Sequence, residues 1–128
     1  MKSAAFLLAG GLLAPAAWAE TPQRILAIYQ QQAGGASAAR GEAFFFARVA
    51  RDGKTESCTG CHTDNPKATG KTRANKVIEP LAPVANRERL TDPAKVEKWF
   101  RRNCRDVHGR ECTAQEKADF VAFLISVK

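Results

Sequence analysis

Methionine occurs once in the 128 residues, at Met1, and histidine twice, at His62 and His108. Two histidines exclude a histidine-rich metal cluster, and a chain that loses its first residues keeps no thioether donor from methionine. Beyond the N-terminal segment no apolar run approaches the roughly 20 residues a membrane-spanning helix needs. There is no internal repeat and no credible strand pattern. Acidic residues are the minority, 13 against 20 basic. The surplus does not point to nucleic acid, because bases and acids interleave, as in Arg87-Glu88-Arg89 and Lys95-Val96-Glu97-Lys98. A solvated surface suited to acidic partner proteins is the expectation.

What is present begins with an address. Lys2 precedes the apolar stretch Ala4 to Ala14, Pro15 follows, and Ala17-Trp18-Ala19 offers small residues where a signal peptidase reads. Residues 1–19 are therefore expected to be a signal peptide cleaved after Ala19. The chain that remains, residues 20–128, should form one domain that is not inserted in a membrane and resides in the periplasm. An oxidising compartment leaves free thiols uncommon among Cys58, Cys61, Cys104 and Cys112.

Periodicity predicts helices only. Gln23 to Gln32 places Ile25, Ile28 and Tyr29 on one face. Ser37 can cap a helix running through Val49, with Gly41 and Phe45 four apart. From Asp52-Gly53 to Leu90 the chain reads as irregular, which in a small domain calls for a bound group to pack against. Asp92-Pro93 opens a helix on which Val96, Trp99, Phe100 and Asn103 form one stripe, and Thr113 to Glu116 is a capping box for the last helix. His108 reads as a residue of an exposed polar loop.

Cys58-Thr59-Gly60-Cys61-His62 is the attachment signature of a c-type haem. Two thiols three positions apart reach the two vinyl groups on one porphyrin edge, and the adjacent imidazole meets the iron. A zinc half-site would want a second ligand pair, and a thioredoxin-like pair a βαβ context; neither is here. A helix with Gly41 and Phe45, then this site, then loops and a terminal helix resembles the class I cytochromes c. The resemblance implies an all-α fold around one covalently bound haem c, with Gly41, Phe45, Phe120 and Leu124 at the crossing of the first and last helices.

Class I cytochromes mostly use methionine on the other face of the iron. Here that position falls to His108, a lysine, Asn103 or nothing. No lysine stands on an apolar face, the segment around His108 is polar, and Asn103 extends an apolar stripe or else caps its helix. The stretches Val96 to Cys104, Gly109 to Thr113, Glu79 to Pro83 and Glu116 to Asp119 are similar to the sphaeroides-type haem proteins, SHP, over essentially the whole mature chain. That resemblance implies His62 and Asn103 as iron ligands, a disulfide between Cys104 and Cys112, and binding of oxygen or other diatomic gases after reduction releases Asn103. It also implies a dihaem cytochrome c and a membrane cytochrome b as electron donors. The bridge has support of its own, since two thiols remain once haem takes Cys58 and Cys61. The alternative makes Cys104, His108 and Cys112 ligands of a small metal site. In function, a gas-binding electron-transfer protein stands beside a plain electron shuttle, with terminal reduction of oxygen or nitrogen oxides as the enzymatic extension. Ile78, Leu81 and Trp99 are candidates to wall the haem, and Arg73 or Lys76 to pair with its propionates.

Overall fold

The computed structural model describes residues 19–128, and the expected leader lies outside them but for its last residue, Ala19. Helix α1, Pro22–Ala33, starts where Thr21 turns its side chain onto the Arg24 amide and stops at left-handed Gly34. Helix α2, Ala38–Phe46, starts under the Ser37 side chain, which accepts from the Arg40 amide. Both bury a narrow face, Ile25 with Tyr29 and Gly41 with Phe45.

The chain after α2 departs from the expected helix and loop. Val49 leaves the helix for β1, Val49–Arg51, which pairs antiparallel with β2, Lys54–Glu56. Asp52 and Gly53 turn the hairpin with φ of 52° and 73°, the paired left-handed residues that a tight hairpin requires. A single helical turn, α3, Thr59–His62, follows. A second hairpin pairs β3, Gly70–Lys71, with β4, Val77–Ile78. The Leu81 and Ala82 amides both donate to the Pro66 carbonyl, at 2.9 and 3.0 Å. The stretch expected to be irregular is thus stitched by its own backbone, and two short hairpins stand where no strand was expected.

Helix α4, Pro93–His108, begins at Asp92, whose side chain accepts from the Lys95 amide, and ends at Gly109 with φ 69°. It runs a turn past Asn103, so His108 belongs to a helix and not to an exposed loop. Helix α5, Ala114–Ser126, carries the expected capping box between Thr113 and Glu116. Helices α1 and α2 both pack on α5. The α2–α5 crossing is close: a Cβ at Gly41 would overlap the Asp119 carbonyl and lie 2.8 Å from Phe123 Cβ. Phe123 therefore fills the place expected for Leu124, which is buried in the same core. Phe45 packs beside Phe123 and Phe120, and Phe120 meets Phe100 of α4, with ring centroids 5.6, 6.1 and 5.7 Å apart respectively. Asp119 is buried with its charge matched by Arg40 Nε at 2.7 Å, Arg40 Nη2 at 2.8 Å, the Ser37 amide at 2.7 Å and Gln115 Nε2 at 2.9 Å. Burial alone would raise its pKa, but these donors hold it below the ordinary carboxylate value.

Candidate functional site

The pentapeptide from Cys58 to His62 folds as the single turn α3. The Cys61 and His62 amides donate to the Cys58 carbonyl at 3.3 and 3.1 Å, and the Gly60 amide to Ser57 Oγ at 3.2 Å. Residues three apart on a helical turn share a face, so this turn sets the Cys58 and Cys61 side chains side by side. Both are free, half-buried thiols. Burial pushes the Cys58 thiol up to about 11. Against the back of the turn lies Gly70, where a Cβ would overlap the Cys61 carbonyl and approach His62 Cα to 3.0 Å. Only a glycine lets the β3 strand pass there.

His62 is half-buried, and burial, then the Arg89 charge, lowers its pKa to about 4. The imidazole is consequently neutral at ordinary pH, the form that ligates a metal. Arg89 is itself half-buried, with Nε 2.7 Å from the Pro80 carbonyl and Nη2 2.6 Å from the Glu79 carbonyl. Sequence reading missed it, because Arg87-Glu88-Arg89 looks like interleaved surface charge. Arg73, a candidate for a propionate, is instead paired with Glu56. Leu81 and Cys58 pack against the main core, and Ile78 is half-buried in β4. Paired thiols on one turn, a neutral histidine next to them and apolar neighbours are the set that a covalently held haem needs.

On α4 the expected stripe divides. Phe100 and Cys104 form the buried face, while Trp99, 38% exposed, and Asn103 lie four apart along its flank. Lys98 Nζ and Arg102 Cζ stand 5.7 and 5.5 Å from the Trp99 ring centre. Asn103 does not cap the helix, since Gly109 does. It sits mid-helix, where asparagine is a poor choice on propensity, and it is exposed, not turned inward with Phe100 as the stripe suggested. Cys104 is joined to Cys112, with Cα atoms 5.6 Å apart, which removes both from the alternative metal site. Among the described residues no group of three or more His, Cys, Asp or Glu is placed to hold a metal ion.

The surroundings of this site have counterparts. A family model described as a domain of unknown function (DUF1924) matches residues 31–124. Cytochrome c-type protein SHP of Cereibacter sphaeroides is 47% identical over 124 residues, 93% of this chain and 95% of that protein. Cytochrome c'' of Methylophilus methylotrophus is 45% identical over 75 residues, 58% of this chain and 52% of that protein. The structure of oxidised SHP, described as an oxygen-binding cytochrome c, superposes with a TM-score of 0.77 at 45% identity, covering 83% of this chain and 96% of that one. Oxidised cytochrome c'' of Methylophilus methylotrophus follows at 0.76 and 34% identity, covering 84% and 94%. Helices closing on a Gly41–Asp119 crossing, with this thiol pair and histidine between them, define an electron-transfer cytochrome of the c type, and its fold class is all-α. The likeness runs nearly end to end, and the chain belongs to the SHP family of these cytochromes.

Proposed function

We propose that the chain is a periplasmic monohaem cytochrome, exported by residues 1–19 and cleaved after Ala19, that carries electrons and binds a diatomic gas in its reduced state. Cys58 and Cys61 would hold one haem c by thioethers, and His62 and Asn103 would ligate its iron. The haem supplies a one-electron couple and an iron centre that takes a gas ligand when a protein ligand leaves. The observation that carries the reading is the placement of Asn103. It lies inside α4, freed of a capping role by Gly109 and followed by the bridged Cys104. No methionine beyond Met1 competes for the position.

Each residue then has a task. The α3 turn presents both thiols and the neutral His62 imidazole together. The Asn103 amide is a weak, hard donor that suits ferric better than ferrous iron, so its hold on the iron would weaken when the haem is reduced. The Cys104–Cys112 bridge anchors the backbone immediately after the ligand. Replacing methionine also removes a ligand that raises the potential, so the midpoint should be low for a class I cytochrome. The partners are redox proteins, a dihaem cytochrome c and a membrane cytochrome b as donors, and the likeness to SHP, an oxygen-binding cytochrome c, favours oxygen as the gas.

Absorbance of the reduced protein with and without carbon monoxide tests this. A spectrum that shifts on adding the gas supports an open ferrous site. A spectrum that does not shift leaves a plain electron shuttle, and turnover with oxygen decides whether gas binding extends to terminal reduction.

A further inference from the structure

The carbonyls of the last turn of a helix have no partner within the helix. At the end of α4 two of them are taken by a side chain from a distant element. Arg51 of β1 donates from Nη1 to the Arg105 carbonyl and from Nη2 to the Asp106 carbonyl, both at 3.0 Å. The Gly109 amide also donates to the Arg105 carbonyl, at 3.0 Å. The guanidinium lies against Gly109 so closely that a Cβ there would stand 2.5 Å from Arg51 Nη1 and 3.0 Å from its Cδ. Gly109 thus serves both the left-handed cap and the seat of the arginine. A cation at this end is also favoured by the helix dipole.

The clamp connects two parts of the site. Arg51 pairs with Lys54 across the hairpin, and β2 ends at Glu56, two residues before Cys58. One side of the hairpin therefore leads into the attachment turn, while the other grips α4 two and three residues beyond Asn103. We propose that Arg51 is a positioning residue for the distal ligand: it holds the last turn of α4 wound, so that Asn103 meets ferric iron without having to order that turn. The inference rests on Asn103 being the ferric ligand. Its physical content is preorganisation, since a frayed turn adds an ordering cost to ligation that a clamped one does not. The Cys104–Cys112 bridge ties the same segment covalently, and the arginine adds a tie to the haem-attachment side that the bridge does not make.

The test uses the exported holoprotein with its haem attached, in four forms: unaltered, Arg51→Ala, Asn103→Ala and the double variant, with Arg51→Lys beside them. The readout is the ferric low-spin to high-spin balance by absorbance, followed with temperature below global unfolding. Losing the clamp should move the ligand-on to ligand-off balance of Arg51→Ala by about fivefold toward high spin, the equilibrium equivalent of one net hydrogen bond. Arg51→Lys, which keeps the charge with a single donor group, should fall between. Adding Arg51→Ala to Asn103→Ala should change nothing further, because the ligand that the clamp serves is gone. An Arg51→Ala spectrum that follows the unaltered protein throughout overturns the proposal, as does an equal shift in the Asn103→Ala background. If Asn103→Ala alone leaves the ferric spectrum unchanged, the ligand assignment itself fails and the proposal goes with it.

Discussion

Phe44 and His108 lie face to face, their ring centroids 4.6 Å apart and their planes 16° from parallel. The contact joins α2 to the last turn of α4 and buries His108 Nε2 with no hydrogen-bond partner among the described residues. Five residues separate His108 from Asn103, about 140° around the helix at 3.6 residues per turn. The imidazole that rivals Asn103 as a ligand is thus turned to another face and used in packing. Replacing His108 with Phe should keep the stack and leave the ferric absorbance spectrum unaltered.

The same residue predicts a pH dependence. Burial, then the Arg110 charge, lowers the His108 pKa from its ordinary 6.5, with Glu116 opposing. An unfolded chain then binds a proton that the native chain refuses. Stability from this source is full above pH 6.5 and falls as the pH drops below it, until native His108 itself titrates. Thermal melting of the holoprotein against pH should therefore be flatter below that point for His108→Phe than for the unaltered protein. Parallel curves would remove His108 from the account of acid stability.

The α2–α5 crossing makes a second stability prediction. Gly41→Ala forces a methyl into the Asp119 carbonyl, and overpacking of this kind costs about 3 kcal/mol at its upper range. Asp119→Ala leaves the Ser37 amide, Arg40 and Gln115 without their common acceptor, with a loss of about 3 kcal/mol. Arg40→Ala should cost clearly less than Asp119→Ala, since its side chain is 59% exposed. Urea unfolding of the three variants checks the order. Arg40→Ala matching Asp119→Ala would show that the ion pair, and not the buried acceptor, matters.

How much of this was legible in the sequence follows the range of each interaction. The caps at Ser37, Asp92 and Thr113 act within three residues, and all three were read correctly. Gly41 with Phe45 is a local spacing, and it marked the crossing, with Phe120 beside Phe45 as expected but Phe123 in place of Leu124 against Gly41. The hairpins at 49–56 and 70–78 escaped because strands of two or three residues carry too little alternation to see. Helix α4 was cut short because Arg105, Asp106 and His108 are polar, yet Gly109 was there to mark its end. Asp119, Arg89 and Arg51 were read as surface charge or passed over. Each owes its role to a partner tens of residues away, and no local pattern announces such a partner.

The Cys104–Cys112 bridge closes a short loop, so its removal should lower stability by about 2–3 kcal/mol in the chain-entropy description. Cys104→Ser with Cys112→Ser, compared by urea unfolding, checks the magnitude. Peptide mass spectrometry without reductant should recover the two cysteines linked to each other and neither linked to Cys58 or Cys61. Both recovered as free thiols from holoprotein isolated without reductant would refute the bridge.

Covalent attachment through Cys58 and Cys61 predicts that the haem stays with the polypeptide through acid–acetone extraction, and that the alkaline pyridine spectrum shows both vinyl positions saturated. Cys58→Ala should leave one position unsaturated and shift that spectrum to longer wavelength. A haem that extracts freely from the unaltered protein would end the c-type assignment of this site.

The central claim is that Asn103 holds ferric iron and lets go on reduction. The most direct measurement is the ferric absorbance spectrum of Asn103→Ala beside that of the unaltered protein, with carbon monoxide added to both after reduction. Water or hydroxide should take the vacated position in the ferric variant and shift its spin state, while the ferrous forms of both proteins bind the gas alike. A ferric spectrum untouched by Asn103→Ala, together with one changed by His108→Ala, would contradict the claim and make the site bis-histidine.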